Sequence, residues 1–227
     1  MSNEFAQTLL LTFKLAFITT LILLVIGIPL ASALSRWKSR WRIIFETLIT
    51  MPMVLPPSVL GYYLLVAYSP DHFPGSILKH WFNVQLAFTF PGLVAGSVLF
   101  SLPFMVSPLQ AGLQNLPASL SEASASLGKS KVVTLFRVLL PNIKPSLITA
   151  LALCFAHTIG EFGVVLMIGG NIPGVTRVAS IAIYDEVQAL HFNLANRYAF
   201  ILFVITFLLL LLINAFNRNR SLWKIYR

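Results

Sequence analysis

The sequence predicts an all-α, polytopic membrane protein with about five transmembrane helices. Hydrophobic residues make up 57% of its 227 residues and charged residues only 10%, and the mean hydropathy is +0.84. A soluble domain has about 25% charged residues, so this chain has too few charges to cover a water-facing surface. Five long apolar runs are the second observation, and the alternating placement of basic residues is the third.

Each apolar run is long enough to cross a bilayer. At 1.5 Å per residue, about 20 helical residues span a hydrocarbon core of ~30 Å. Helices are expected rather than a closed barrel, because barrel strands are short segments of alternating hydrophobicity. We treat residues 1–227 as one domain with a core at about 8–217. The predicted spans are 8–34, 43–68, 88–112, 142–168 and 197–217.

Basic residues account for the net charge of +9. Twelve of the sixteen lie between spans one and two, between spans three and four, or after span five. Since such residues concentrate in cytoplasmic connections, this placement predicts an outside N-terminus and a cytoplasmic C-terminus. The charge therefore marks orientation in a lipid bilayer and does not indicate nucleic acid as a partner. The twelve residues are Arg36, Lys38, Arg40, Arg42, Lys129, Lys131, Arg137, Lys144, Arg218, Arg220, Lys224 and Arg227.

The second span contains a cluster of helix-breaking residues: Pro52, Pro56, Pro57 and Gly61. A proline inside a helix removes a backbone hydrogen bond and kinks the helix. In a membrane such a break is tolerated where protein or a water-filled path satisfies the freed carbonyls. The cluster predicts a bent helix beside a transport pathway. The alternative is that proline is simply commoner in membrane helices.

The fourth span carries an acidic residue, Glu161, between Gly160 and Gly163. An acid inside a span is a functional candidate, and the glycines permit close helix approach. His157, four residues earlier, is expected on the same helix face and is the predicted partner of Glu161. A structural carboxylate that caps a helix break is the equally weighted alternative.

Catalytic and metal-binding motifs are missing from the sequence. It contains no Ser/His/Asp set at recognisable spacing and no HExxH, so we predict no catalytic residues and no metal site. Gly128-Lys129-Ser130 resembles the end of a phosphate loop, but Ala123 replaces the required glycine and no strand precedes it. A membrane-embedded enzyme or redox anchor built on Glu161 and His157 remains the alternative of a different class.

The connection at 113–141 is polar and rich in small residues. Ser119 and Glu122 are spaced as a capping box, and Gly128 is a natural helix stop. A second short helix is expected over 131–140, ended by Pro141. The pattern predicts a helix–Gly–helix loop on the cytoplasmic face.

This loop resembles the "EAA" loop of ABC importer permeases, whose pattern is Glu-Ala-Ala-x3-Gly-x9-Ile-x-Leu-Pro. The sequence departs from it only at Ser124 and Val138. The resemblance implies a type I ABC importer permease bundle and a coupling helix, at roughly Pro117–Leu127, that docks on an ATP-hydrolysing subunit. The matching residues are Glu122, Ala123, Ser124, Gly128, Val138, Leu140 and Pro141.

Three further segments narrow the resemblance to permeases that import oxyanions. Residues 159–163, Ile-Gly-Glu-Phe-Gly, are similar to an element of sulfate, molybdate and tungstate permeases. Residues 171–177, Asn-Ile-Pro-Gly-Val-Thr-Arg, look like an outer loop of the molybdate permeases, and residues 55–65 resemble their second span. The resemblance implies import of a tetrahedral oxyanion, with molybdate expected and tungstate or sulfate/thiosulfate as the alternatives.

The same resemblance implies an assembly in a prokaryotic plasma (inner) membrane. It contains two copies of this chain, two ATP-binding subunits on the cytoplasmic face, and a separate substrate-binding protein outside. The chain is expected to bind no cofactor, with ATP and Mg²⁺ used by the ATPase partner. Because an acid in a low-dielectric path repels an oxyanion, we expect Glu161 to gate the pathway or orient a helix. Anions at the outer mouth are expected to be favoured by Arg177, Arg197 or Lys79.

Overall fold

The computed structural model describes residues 2–225, with side chains for 3–81 and 83–215. Of the predicted inner-face residues, Arg227 lies outside the described residues, as do the side chains of Arg218, Arg220 and Lys224. Every regular element in the described range is helical. The elements are α1 (Ser2–Arg36), α2 (Trp41–Val54), α3 (Pro57–Tyr68), α4 (Gly75–Phe82), α5 (Phe90–Gln114), α6 (Ser119–Ser126), α7 (Lys131–Thr134), a π-helical turn (Leu135–Leu139), α8 (Leu140–Asn142), α9 (Lys144–Gly160), α10 (Gly163–Gly169), α11 (Ala179–Gln188) and α12 (Phe192–Ile225).

Three helices are long and apolar enough to cross a membrane by themselves: α1, α5 and α12. Two bent pairs bring the number to as many as five. Helices α2 and α3 form one pair, bent by 110°, and the second pair joins Lys131–Asn142 to Lys144–Gly160 at 85°. The all-α class is confirmed, with three to five candidate spans, and the second span is sharply broken, as its prolines predicted.

Helices α1 and α5 run parallel. Lys14 lies over the ring of Phe90, and further along both helices Gly27 packs against Met105. The segment between them must therefore bring the chain back to the side on which α1 began. This return path contains the broken pair α2 and α3, so the pair crosses the same thickness.

Helix α9 runs antiparallel to α5. Ser101 contacts His157, whereas Gly112, eleven residues later, meets Ser146, eleven residues earlier. Phe5 in the first turn of α1 packs ring against ring with Tyr198 in the second turn of α12, so α12 starts at the end of the bundle where α1 starts. If each bent pair crosses once, the start of α1 and the far end of α12 lie on opposite sides. We call the side with the 113–141 connection the loop end and the other side the N-terminal end.

Two local predictions in the 113–141 connection are wrong. Helix α6 begins at Ser119 itself, and the preceding Ala118 provides no side-chain cap; a serine that is already helical cannot act as the capping residue. Helical backbone also continues past Pro141 to Asn142. Pro141 follows the π-helical turn as the second residue of α8, and its missing N–H interrupts the backbone hydrogen-bond ladder there. The chain turns two residues later, at Ile143.

Candidate functional site

The 113–141 connection reverses at Gly128. The Lys129 N–H donates to the Ser124 carbonyl at 3.1 Å, and the Gly128 N–H donates to the Ala125 carbonyl at 2.9 Å. These two bonds form a Schellman motif. Gly128 has a φ of +69°, which glycine adopts without the penalty that a Cβ brings. The predicted helix stop is therefore confirmed in its geometry.

The connection is firmly attached to the helix bundle. The hydroxyls of Ser124 and Thr134 lie 2.8 Å apart and join α6 to the π-helical segment's start. Leu139 and Leu140 are buried in a core cluster that also contains residues of α1, α5 and α9, and Val138 packs against it. Because interiors are close-packed, the connection and these three helices form one packed unit. In this arrangement Val138 and Leu140 serve as anchors.

The opposite side of the connection is open. Glu122 and Ala123 are exposed on α6, and three large apolar side chains beside them are also exposed: Leu127 at 75%, Val132 at 65% and Phe136 at 56%. A cluster of exposed apolar side chains at the polar end of a membrane protein marks an interaction site. We call these five residues the loop surface. Sequence reasoning missed its three apolar members.

A second group of predicted residues meets inside the bundle. The break between α2 and α3 and the break between α9 and α10 touch each other: a Cβ placed on Gly163 would lie 2.7 Å from the Pro57 Cβ. One turn away, a Cβ on Gly61 would lie 2.8 Å from the Met167 Cβ. Pro56 is exposed beside this contact. The structure thus joins two helix breaks that are more than a hundred residues apart in sequence.

Glu161 forms the break after α9. Its side chain is 3% exposed, and neither carboxylate oxygen has a hydrogen-bond partner among the described residues. Its backbone carbonyl accepts a 2.5 Å bond from the Ser180 hydroxyl. Ser97 is a polar neighbour of this carboxylate, but its hydroxyl is not placed to form a hydrogen bond with it. Since an unpaired buried carboxylate costs several kcal/mol, Glu161 is a candidate for a functional role.

His157 does not pair with Glu161, so that prediction is wrong. Its Nδ1 lies 3.0 Å from the Ser101 hydroxyl, and its ring stacks on Phe104 at a centroid distance of 4.0 Å. The helix ends before Glu161, whose backbone is extended (ψ 128°), so the four-residue helical spacing no longer aligns the two side chains. Gly160, between them, is exposed and borders open space.

Arg177 is held in ion pairs at the N-terminal end. Its guanidinium contacts Glu4 at 2.8 Å, Glu186 at 3.2 Å and Asp185 at 3.5 Å, and its side chain is 14% exposed. These bonds tie the start of α1 to α11. Three carboxylates around one cation also leave little positive potential for an incoming anion, in contrast to the expectation from sequence.

Arg197 and Lys79 are the other two cations predicted at the outer mouth, and they do not line the same cleft. Arg197 lines a cleft of 1020 Å³ that is also bordered by Glu4, Arg177 and Glu186. Lys79 lies on α4 and does not border that cleft. The three cations therefore do not converge on one anion site in this conformation.

The ion pairs of Arg177 lead to a stability prediction. Arg177→Gln removes the cation from three carboxylates, and we expect it to lower the free energy of unfolding by about 1–3 kcal/mol, less than a fully buried pair because Glu4 is half-exposed. Thermal unfolding of the detergent-solubilised chain measures this change. Lys79→Gln is the matched control and should unfold like the wild type. Equal unfolding temperatures for the two variants would contradict the assigned role.

Known proteins that resemble this chain in sequence are components of membrane transport systems. Residues 9–221 match the family described as "Binding-protein-dependent transport system inner membrane component". The chain is 42% identical, over 93% of both chains, to the "Molybdenum transport system permease protein ModB" of Azotobacter vinelandii. It is 34% identical, over 92% of its own length and 78% of the relative, to a "Probable sulfate transport system permease protein cysT" of Chlorella vulgaris.

A solved structure shares the fold. A bacterial ABC transporter involved in the import of the acidic polysaccharide alginate contains a chain that superposes with a TM-score of 0.78 and 17% identity. The match covers 96% of this chain and 80% of that one. At this identity the likeness concerns the fold, and it confirms the predicted importer-permease bundle.

Proposed function

We propose that this chain, which belongs to the family of binding-protein-dependent transport system inner membrane components, carries molybdate across the membrane. Members of this family are permease subunits of ABC importers, so the chain is a transport subunit and not an enzyme. The observation that supports molybdate is the 42% identity, over 93% of both chains, to a molybdenum permease. Sulfate and tungstate remain the alternative substrates, and the weaker identity to sulfate permeases ranks sulfate lower.

The proposed assembly contains two copies of this chain, two ATPase subunits and a substrate-binding protein. The loop surface supports a site for the ATPase, because it exposes apolar side chains where the bundle meets water. ATP and Mg²⁺ would be bound by that partner. Since the basic connections are expected on the cytoplasmic side, the loop end faces the cytoplasm and the N-terminal end faces the binding protein.

The mechanism that we propose uses the rigid attachment of the loop. Closure of the ATPase pair would displace α6. Val138 and Leu140, which anchor the connection in the core, would pass this displacement to α1, α5 and α9. A bundle with two alternative packings can convert such a shift into opening on the other side. The touching helix breaks would form part of the pathway, because irregular backbone is tolerated at membrane depth where it lines a cavity.

Substrate choice is tested by uptake. A strain that lacks its own molybdate permease, and carries this chain with the ATPase and binding protein encoded beside it, should accumulate radiolabelled molybdate. Excess unlabelled sulfate should leave uptake unchanged, whereas tungstate should compete because its size and charge are nearly the same. Strong competition by sulfate would replace molybdate with sulfate as the substrate.

Glu161 provides a separate prediction about gating. Glu161→Gln removes a buried carboxylate that has no hydrogen-bond partner among the described side chains, but it preserves the shape of the side chain. We expect a higher unfolding temperature together with a loss of uptake of about tenfold, because groups kept at a stability cost are retained for function. Thermal unfolding and uptake are measured on the same variant. Unchanged uptake would leave Glu161 without a transport role.

A further inference from the structure

An open apolar groove runs along the outside of the bundle in its N-terminal half. It has a volume of 600 Å³ and lies between α1 and α5, with Tyr68 of α3 at one border. The side chains that line it are almost entirely apolar. They include Ile22, Phe90, Val94, Ala95, Val98 and Leu99.

A cation stands at one end of this groove. The Lys14 ammonium lies 4.9 Å from the centroid of the Phe90 ring, and Lys14 is exposed. Among the described side chains it forms no ion pair with a carboxylate. Its charge is therefore free to attract an anion, while the ring contact holds the ammonium over the groove's entrance.

The depth of Lys14 matches the bilayer boundary. From Lys14 to Arg36, the last residue of α1, about 22 residues rise ~33 Å, close to the ~30 Å of a hydrocarbon core. Apolar residues also precede Lys14, at Leu9, Leu10 and Leu11, so Lys14 lies six residues inside the predicted first span (8–34). Its ammonium lies over Phe90, the first residue of α5, so the long lysine side chain extends towards the end of the apolar region and reaches the level of the lipid headgroups.

The length of the groove matches one leaflet. Phe90 and Leu99 are nine residues apart on α5, or ~14 Å along the helix, about half of the hydrocarbon thickness. The neighbouring face of α1 is apolar and open as well, with Phe17, Leu21 and Val25 exposed. Exposed apolar residues at this depth are the surface expected to contact lipid chains.

We propose that Lys14 and this groove bind an anionic phospholipid, with the phosphate at the Lys14 ammonium and an acyl chain against Val94, Ala95 and Val98. The ammonium provides charge complementarity to the headgroup, and the groove provides an apolar channel that begins directly below it. The site lies in the leaflet at the N-terminal end, at the opposite end of the bundle from the loop surface. It does not depend on which oxyanion is transported.

The test uses the assembled transporter purified in mild detergent after incubation with phosphatidylglycerol or phosphatidylethanolamine. Native mass spectrometry counts the lipids that remain bound. We expect preferential retention of phosphatidylglycerol, and Lys14→Gln should reduce it about fivefold, since one lysine near a membrane surface contributes about that factor. Lys79→Gln is the charge-matched control and should retain the lipid like the wild type.

A second variant separates the groove from the charge. Ala95→Phe fills the groove with a ring and should reduce retention of both lipids, while gel filtration reports whether the assembly remains intact. Phosphatidylglycerol retention in Lys14→Gln equal to the wild type would overturn the proposal. It would also be overturned if cysteine introduced at residue 14 formed disulfides between two copies, because the groove would then be covered by protein.

Discussion

Gly128→Pro should abolish transport while leaving the chain in the membrane. The φ of +69° at Gly128 is inaccessible to proline, whose ring holds φ near −65°, and the substitution also removes the N–H that bonds Ala125. The reversal after α6 would be lost and the loop surface would change shape. We expect uptake to fall by more than about tenfold, with ATP hydrolysis no longer stimulated by the loaded binding protein.

Two variants serve as controls for this result. Gly128→Ala keeps the N–H and finds no atom within 4 Å of its Cβ, so it carries only the left-handed strain of about 1–2 kcal/mol and should retain much of the uptake. Glu122→Lys leaves the backbone unchanged and reverses one charge on the loop surface; it should uncouple ATP hydrolysis from uptake. Normal uptake in both Gly128→Pro and Glu122→Lys would refute the assignment of this loop.

Gly163→Ala should loosen the contact between the two helix breaks. The new methyl group would lie 2.7 Å from the Pro57 Cβ, a distance that real Cβ contacts do not show, and the proline ring has little freedom to move aside. Overpacking of this kind costs about 1–3 kcal/mol. Because alanine favours a helix over glycine by about 1 kcal/mol, any loss of stability reports the contact and not helix propensity.

Gly160→Ala is the matched control for stability. Gly160 lies three residues earlier, and a Cβ there meets nothing within 4 Å. We expect the unfolding temperature of Gly160→Ala to equal or exceed that of the wild type, and that of Gly163→Ala to fall together with uptake. If both variants unfold alike, the two breaks are not in tight contact and the proposed pathway loses its support.

These predictions concern one mechanical connection. The loop surface is joined to the bundle through buried leucines, and the touching breaks lie in the N-terminal half of the same bundle, where α10 packs against the first half of α5. A transporter needs a firm link at the site where force is applied and weak helices where the pathway opens. The anchors and the broken helices supply these two properties.

The sequence by itself determined the features that depend on local rules. A shortage of charge and five apolar runs were sufficient for the all-α membrane class, because water and lipid impose composition directly. The break at Pro56 and Pro57 follows from proline's missing donor. The reversal at Gly128 follows from the conformation that glycine alone adopts easily.

Only the tertiary structure decided which distant groups meet. Sequence spacing placed His157 beside Glu161, but the helix ends between them and His157 bonds Ser101 of α5 instead. Arg177 was expected to attract anions, and its three carboxylate partners became visible only when α1 and α11 were brought together. The contact of Gly163 with Pro57 likewise joins segments more than a hundred residues apart. Periodicity and turn chemistry act over a few residues, whereas helix packing, which sets these contacts, depends on the whole bundle.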